Sequence, residues 1–343
     1  MHKNFDEIFE DVTKLGTKIK TDEYHQSGRY QIIDQGQESV AGYTDLEDGL
    51  FEDVPAIIFG DHTRIIKYVD QPFFLGADGV KVLRSCVEDA NYRYLYYALR
   101  NVKIPNTGYN RHFKWLKTVQ IKWSNAETQS DVVTALDSVS QIVEYRQQQL
   151  QKLDELVKAR FVEMFGDPIS NPHGFDKVDL SELADIKIGP FGSLLHKEDY
   201  IEGGYALLNP SHIIDGKIAP DSKLTVSREK YEELSAYHLK AGDVVMGRRG
   251  EMGRCAVVPC DGYLCGTGSL LIRTKGDVTA DYIQKIISFP SFKKAIEDMA
   301  VGQTMPNLNV PIVSRFQIIK PPIEVQHSYY AFVEQVDKSK VAV

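Results

Sequence analysis

The feature that most constrains this chain is the stretch from Ala126 to Phe165, which contains neither glycine nor proline. Ten positions between residues 132 and 164, spaced in alternating steps of four and three, hold eight apolar side chains. This spacing is the a/d seam of a coiled coil. At about 1.5 Å per residue, the stretch predicts a helical rod of roughly 60 Å. An ordinary bundle helix can carry such a seam, but globular helices average only about 11–12 residues.

Gly166 and Pro168 follow this stretch, so we expect the helix to end there. We expect its apolar seam residues to pair with another helix or to bind a partner protein. These residues are Val132, Leu136, Val139, Val143, Leu150, Leu153, Val157 and Met164.

A diverged internal repeat organises the rest of the chain. Residues 28–34 match residues 203–209, Gly76 matches Gly266, and residues 110–129 match residues 307–326. After the two glycines and before residues 110–129 and 307–326, Ala90 and Tyr92 match Ala280 and Tyr282. The matches keep their order while their offset grows slowly, as loop insertions would produce. Each half therefore predicts β-rich segments, a short helix, a last strand and a closing helical stretch, which is an α/β (α+β) fold.

The second closing stretch begins near Glu324 and is about half as long as the first. The repeat carries the seam onto Tyr329, Val333, Val336 and Lys340. We expect Val333 and Val336 to take part in the coiled coil.

The charge balance limits the classes of partner. Forty basic and 48 acidic residues give a net charge of −8, which argues against a histone-like polycation. A local basic face can still bind nucleic acid, because only the surface that touches phosphate matters. No apolar run approaches the ~18 residues of a membrane span. The acidic N-terminus holds no signal-peptide core, so we expect a cytoplasmic protein without a membrane partner.

The cysteines and histidines predict no metal site. Cys86, Cys255, Cys260 and Cys265 match no zinc spacing, and we expect buried, reduced thiols on strands. The histidines are scattered. We therefore predict neither a metal nor a cofactor bound to this chain.

A basic segment with interleaved aromatic residues runs from Gly108 to Thr118. It contains no acid, and its candidate DNA-contacting residues are Arg111, His112, Lys114 and Lys117. Planar and cationic side chains suit contact with DNA backbone and base edges. The alternative is a basic turn whose aromatic residues lie in the core.

The repeat places two further polar loops at equivalent points, each directly after a strand. In the first half the loop carries His62 and Arg64; in the second half it carries Arg248, Arg249 and Arg254. The glycines at 247, 250 and 253 do not form a nucleotide-binding pattern, so phosphate contact by the arginines is the better hypothesis. A solvated hairpin is the alternative. Asn307, which matches Asn110, completes the predicted DNA-binding set.

No catalytic arrangement is legible. The text Asn209-Pro210-Ser211-His212 lacks the second proline and the aromatic residue of a DNA amino-methyltransferase loop. Asp215-Gly216-Lys217 has the form of a nuclease metal site, but no upstream carboxylate completes it. No Ser/His/Asp or Cys/His set can be read. We therefore predict no catalytic residues.

Two α/β repeats, each followed by a coiled-coil helix, resemble the specificity (S) subunit of type I restriction–modification systems. The junction ARFVEMFGDPISNPHGF, residues 159–175, looks like that family's helix end and the start of its second recognition domain. The segment from Pro321 to Gln326 looks like the start of its conserved helix. The likeness covers the whole chain.

The resemblance implies two similar target-recognition domains, 1–123 and 167–322. A long central coiled-coil helix, 124–166, separates them, and a second, shorter C-terminal helix, 323–343, pairs antiparallel with it. Each domain would read half of a split site in double-stranded DNA. The chain itself would be non-catalytic. It would dock methyltransferase (M) subunits, which bind S-adenosylmethionine and methylate adenine, and translocase-nuclease (R) subunits can join.

One departure from the family concerns the last helix, which is usually about as long as the first. Truncation, gene rearrangement and completion by another protein all remain open. A stand-alone sequence-specific DNA-binding or inhibitory protein is the alternative function. A nuclease or methyltransferase with unrecognised motifs is a third.

Overall fold

The computed structural model describes residues 1–76, 78–191, 194–300 and 307–342. The chain divides into two compact units, Met1–Arg146 and Gln147–Val343. The boundary falls inside the long helix, so each unit contains one part of it.

The described residues of the first unit form nine strands and two short helices, and the long helix begins in this unit. The strands are β1 His2–Asn4, β2 Phe9–Asp11, β3 Tyr30–Ile33, β4 Gly42–Thr44, β5 Ala56–Gly60, β6 Ile66–Val69, β7 Phe73–Leu75, β8 Val80–Ser85 and β9 Gln120–Lys122. The helices are α1 Tyr92–Arg100, α2 Phe113–Leu116 and α3 Ala126–Phe165.

The second unit repeats this plan with additional short strands. Its strands are β10 Asp176–Asp179, β11 Ala184–Ile188, β12 Tyr200–Ile201, β13 Tyr205–Leu208, β14 Ile213–Ile214, β15 Lys217–Ile218, β16 Thr225–Val226, β17 His238–Leu239, β18 Val244–Gly247, β19 Cys255–Val257, β20 Tyr263–Cys265, β21 Ser269–Thr274 and β22 Gln317–Lys320. Its helices are α4 Leu180–Leu183, α5 Arg228–Glu233, α6 Ala280–Ile287, α7 Pro290–Ala300, α8 Val310–Ser314 and α9 Ile323–Ala342. Both units also contain short 3-10 turns. In the first unit they are Phe5–Glu7, Thr13–Leu15 and Thr21–Glu23, and in the second they are Lys197–Asp199, Pro210–His212 and Ser235–Tyr237.

The main sheets of the two units have the same topology. The order is β2-β8-β5-β6 in the first unit and β11-β21-β18-β19 in the second, with all pairs antiparallel. A second sheet in each unit contains one parallel pair, β3 with β7 and β13 with β20. The two units are therefore similar folds, as the repeat predicts.

The central strand β5 is buried along its whole length because its two faces serve different cores. Ile57 and Phe59 pack with Leu95 and Leu99 of α1. Ala56 and Ile58 face the other way, into a core built with the second sheet. Side chains alternate between the faces of a strand, so a continuous apolar run at this point requires apolar partners on both sides.

The structure corrects the register of the repeat at the short helix. Asn91 caps α1 by accepting from the Tyr94 amide, and Thr279 caps α6 by accepting from the Tyr282 amide. Tyr94 and Tyr282 each donate from the hydroxyl to a carbonyl of the last strand, at Lys122 and Ile319. Tyr94, rather than Tyr92, is thus the counterpart of Tyr282.

The expected long helix and its shorter antiparallel partner are confirmed as α3 and α9, of 40 and 20 residues. Asn125 caps α3 by accepting from the Thr128 amide. Gly166 ends it at φ +73°, a conformation that favours glycine. Within the second unit, Tyr329 packs on Phe161 while Lys340 pairs with Asp154, so the two helices run in opposite directions.

The expectation for the cysteines is half right. Cys255 and Cys265 are buried, and burial raises the pKa of both thiols to about 12. Cys86 and Cys260 are exposed. Both lie in a bend that follows a strand, β8 or β19, and not on the strand itself.

Candidate nucleic-acid interface

The predicted DNA-binding loops leave the central strands at equivalent points and are held by the same backbone frame. The Asp61 amide donates to the Gly79 carbonyl, and the Asp61 carbonyl accepts from the His112 amide, both at 2.7 Å. In the second unit, the Arg248 amide donates to Gly268, and the Arg248 carbonyl accepts from Leu308, both at 3.0 Å. We call residues 61–64, 78–79 and 107–112 loop cluster 1. Loop cluster 2 comprises residues 248–254, 266–268 and 307–309.

Loop cluster 1 presents a stacked pair of rings. His62 lies parallel to Tyr109, with ring centroids 4.8 Å apart, and Tyr109 is 90% exposed. Gln35 supports the pair, since its Oε1 accepts from the His62 amide at 3.1 Å and its Nε2 donates to the Asp78 carbonyl at 3.0 Å. The arrangement offers a planar surface of the kind on which a base or sugar can pack.

The cations around loop cluster 1 are exposed. Arg111 lies in the cluster. Lys114 lies on α2, and Lys117 is the residue directly after that helix. The lysine ammonium groups lie over aromatic rings, 5.3 Å from the Trp115 centroid and 5.2 Å from the Phe113 centroid. The structure thus leaves these three charges available to phosphate.

Two predicted residues of the first unit have structural contacts instead. His112 is fully buried; its ring contacts the Asp61 carbonyl at 3.1 Å and accepts from the Thr107 amide at 3.4 Å. The prediction that His112 contacts DNA is therefore wrong. Arg64 is half-buried and donates to the Ile104 carbonyl at 3.4 Å, so its guanidinium is engaged between its loop and the segment after α1.

Loop cluster 2 is more basic and more constrained. Arg248 is half-buried and donates from Nε to the Leu308 carbonyl at 3.0 Å, and burial together with Arg249 lowers its pKa. Arg249 is exposed. Arg254 is paired with Glu251 at 2.7 Å, so part of its charge is neutralised.

Glu251 also accepts from Lys293 at 2.8 Å. The hydrogen bonds from Lys293 and Arg254 lower the pKa of this carboxyl to about 2. Asn307 is half-buried, and its Oδ1 has no hydrogen-bond partner among the residues that the structure describes.

The seam residues have two different environments. In the second unit Leu153, Val157, Met164 and Val333 are partly buried, and Val336 is buried. In the first unit Val132 is partly buried, while Leu136, Val139 and Val143 are exposed. Leu150, which belongs to the second unit, is also exposed. The coiled-coil pairing therefore involves only the part of the seam that lies against α9.

Sequence reasoning missed Gln35 and Asp78 as supports of loop cluster 1. Gln35 lies two residues after β3, which is part of a matched repeat segment. This position in the repeat could have indicated that Gln35 has a role in the site. Among the described residues, no group of three or more His, Cys, Asp or Glu side chains could hold a metal ion. No described helix is both long and apolar enough to cross a membrane.

A family model for the type I restriction modification DNA specificity domain matches residues 172–343, half of the chain. The chain belongs to this family. This DNA specificity family member is 30% identical over 97 residues to the type I restriction enzyme EcoR124I/EcoR124II specificity subunit of Escherichia coli. The match covers 27% of the chain and 24% of that relative, about a quarter of its length.

Two solved structures share the fold of the specificity-family chain over its full length. One is the type I restriction–modification S subunit from M. genitalium, with a TM-score of 0.61, 16% identity and 90% of that chain covered. The other comes from a study of complex assembly and conformational transition of the type I R-M system, with a TM-score of 0.57, 15% identity and 91% covered. The predicted fold class is confirmed by these matches.

Proposed function

We propose that this chain is the DNA sequence-recognition subunit of a type I restriction–modification complex and reads a bipartite site. Loop cluster 1 would read one half-site and loop cluster 2 the other. Residues 1–123 and 167–322 would be the two target-recognition domains, joined by the helix at 124–166.

One observation carries this proposal beyond family membership. Asp61 and Arg248 occupy the same position in the same backbone frame, and His62 and Arg249 follow them. A shared frame with different side chains is what two readers of different base sequences require, since base edges are distinguished by the donors and acceptors they meet. Exposed Arg111 and Arg249 are the best-placed guanidinium groups for this reading.

We further propose that the chain has no catalytic step of its own. Methyltransferase subunits would supply S-adenosylmethionine and the transfer chemistry, and translocase-nuclease subunits would join for cleavage. The partners would also supply much of the phosphate contact, which accounts for a DNA reader with a net charge of −8.

The test is the methylation pattern of the reconstituted complex, read by sequencing. Arg111→Ala should relax base preference in one half-site and Arg249→Ala in the other, each by about 1–3 kcal/mol where the guanidinium contacts a guanine. Lys223→Ala, an exposed lysine outside both loop clusters, is the matched control and should leave the pattern unchanged. Relaxation of the same half-site by both arginine variants would refute the two-reader assignment. Methyl transfer by the purified chain alone would refute the non-catalytic one.

A further inference from the structure

The edge strands β2 and β11 occupy the same place in the main sheets of the two units. Phe9 of β2 pairs with Ser85, and Ala184 of β11 pairs with Thr274. Ser85 and Thr274 are equivalent, since each is the last residue of a six-residue strand at the same position in the sheet order. Phe9 and Ala184 are therefore counterparts.

The loops that follow these two strands have equal length. The offset from Phe9 to Ala184 is the same as the offset between the matched segments 28–34 and 203–209. By this register Gly16 is the counterpart of Phe191. A position without a side chain in one unit thus carries a large ring in the other.

The backbone before Phe191 is fixed against loop cluster 2. The Gly189 amide donates to the Ser269 carbonyl at 3.0 Å. A Cβ atom on Gly189 would lie 2.0 Å from the carbonyl oxygen of Gly266, so this close approach requires glycine. Pro190 is buried as well, and its ring restricts the backbone further. The segment therefore presents Phe191 from a restrained position beside the cluster.

The corresponding segment of the first unit also adjoins its loop cluster. Lys18, two residues after Gly16, donates from Nζ to Asp78 of loop cluster 1 at 2.8 Å. The Ile19 amide donates to the Leu75 carbonyl at 2.9 Å, which holds the segment along β7. The segment after the edge strand is thus part of the surface around the predicted reading loops in both units.

The ring of Phe191 is exposed at the edge of a basic loop. Phe191 is 64% exposed. In the adjoining part of the cluster, the Gly268 carbonyl accepts from the Arg248 amide at 3.0 Å, and exposed Arg249 follows. Single exposed apolar side chains are common on protein surfaces. This ring differs from them because a rigid segment holds it beside guanidinium groups, where a polyanion with apolar features on its base edges fits better than an apolar protein surface.

We propose that Phe191 contacts a thymine methyl group in the half-site read by loop cluster 2 and so helps to determine its sequence. The inference rests on the proposed function and adds a residue to it. A phenyl ring has no hydrogen-bond donor or acceptor for base edges, and the C5-methyl group of thymine is the apolar feature of the major groove. Gly16 offers no such contact, and the exposed ring of the first reader is instead Tyr109. This difference suits two readers of different base sequences.

The test removes the methyl group from the DNA and the ring from the protein. In duplexes that carry the recognised site, each thymine of both half-sites is replaced in turn by deoxyuridine, which lacks only the 5-methyl group. Dissociation constants are measured for the reconstituted complex. For the parent we expect one position at which the replacement weakens binding about fourfold, the value of one buried methyl-sized group. The Phe191→Ala complex should bind the thymine and deoxyuridine duplexes of this position equally.

Two further variants control for a general effect of substitution. Phe191→Leu keeps an apolar side chain and should retain part of the sensitivity to deoxyuridine. Ile201→Ala is the matched control and should show the full sensitivity of the parent, since Ile201 is 43% exposed on β12 of the same unit but lies outside loop cluster 2.

The inference is overturned if the parent is sensitive to deoxyuridine at no position, or if Phe191→Ala keeps the sensitivity of the parent. It is also overturned if Phe191→Ala weakens binding of all duplexes alike and leaves the sensitivity in place, because the ring would then contact the DNA backbone or a partner subunit. Arg249→Ala separates these results from failure of the proposed function. If that variant relaxes one half-site, only the role of Phe191 is wrong. A parent complex that does not prefer its site over unrelated duplexes refutes both.

Discussion

The two units share a backbone plan but differ in what covers it. In the second unit the seam of α9 is closed by Phe161 and Phe165, whereas the equivalent seam in the first unit is open to solvent. The sheets behind the seams are nevertheless equally well buried, with β5 and β18 covered along their whole length. The first unit thus buries its central strand with its seam left exposed, whereas in the second unit Phe161 and Phe165 belong to the same core as Val244 and Met246 of β18.

The largest expected effect concerns the closed seam. Phe161→Ala should destabilise the second unit by about 3–5 kcal/mol, because it removes a fully buried ring that packs on Tyr282 and Tyr329 and leaves a cavity. Hydrogen exchange followed by mass spectrometry can measure the loss for each unit separately, which avoids assuming a two-state transition for two units.

Val162→Ala is the control for this prediction. Val162 is the next residue on the same helix and is 48% exposed, so its loss should change stability by less than about 0.5 kcal/mol. Equal effects of the two substitutions would show that α3 does not close the second core. An equal loss of protection in the first unit would show that the cores are not independent.

The helices of this comparison could be predicted from the sequence because helix period and heptad spacing are local properties. The seam from Val132 to Met164 and the glycine stop at Gly166 need no knowledge of the fold. The offset that relates Gln129 to Gln326 also lies in the sequence, and the paired amide contacts of these residues confirm it.

The burial of individual side chains, and what packs over the seam, could not be predicted in the same way. Both depend on parts of the chain that are distant in sequence. His112 is buried since a loop 51 positions away offers it the Asp61 carbonyl. The sequence match pairs Tyr92 with Tyr282, whereas the helix caps pair Tyr94 with Tyr282. The two repeats differ in loop length before this helix, and matching of residue types does not show where that difference lies. The pairing of Glu251 with both Arg254 and Lys293 likewise requires the position of α7.

A smaller loss of stability is expected from substitution of the residue that holds loop cluster 1 in place. Asp61 is buried, and its Oδ1 accepts from the Phe113 amide at 2.7 Å. The corresponding segment of the second unit is capped differently, by Asn309 accepting from the Ile312 amide. Asp61→Ala should cost about 1–3 kcal/mol, because it leaves a buried donor unsatisfied. Faster hydrogen exchange at residues 107–113 is the measurement.

Asp61→Asn retains an acceptor oxygen and is the matched control, which should recover most of the lost protection. In the reconstituted complex, Asp61→Ala should weaken recognition of one half-site only. Loss of recognition at both half-sites would contradict the independence of the loop clusters. Unchanged exchange at residues 107–113 would show that Asp61 does not order loop cluster 1.

The smallest expected effect is an increase in affinity, and it concerns the one acid in loop cluster 2. Glu251 pairs with Arg254 and Lys293, so part of the positive charge of the cluster is withheld from DNA phosphate. In loop cluster 1, Arg111 is exposed, and Asp78, the acid that interacts with it electrostatically, is hydrogen-bonded to Lys18. Glu251→Gln should therefore strengthen DNA binding by a few-fold at low salt. It should also steepen the dependence of affinity on salt, by up to about one unit of slope for each additional phosphate that the cluster neutralises.

The pH dependence separates this electrostatic effect from a general loosening of the loop. Because hydrogen bonds from Lys293 and Arg254 lower the pKa of Glu251 to about 2, the carboxylate stays ionised through the range of DNA-binding assays. The parent's affinity should thus show no step from Glu251 between pH 8 and pH 5. A lowered folded-state pKa contributes stability that is fully present above the unfolded value of about 4.3 and is lost as pH falls towards 2. The stability difference between parent and Glu251→Gln should therefore be constant above about pH 5 and shrink in acid. A variant that bound DNA more weakly than the parent, or whose stability difference grew in acid, would show that Glu251 orders loop cluster 2 for binding rather than withholding its charge.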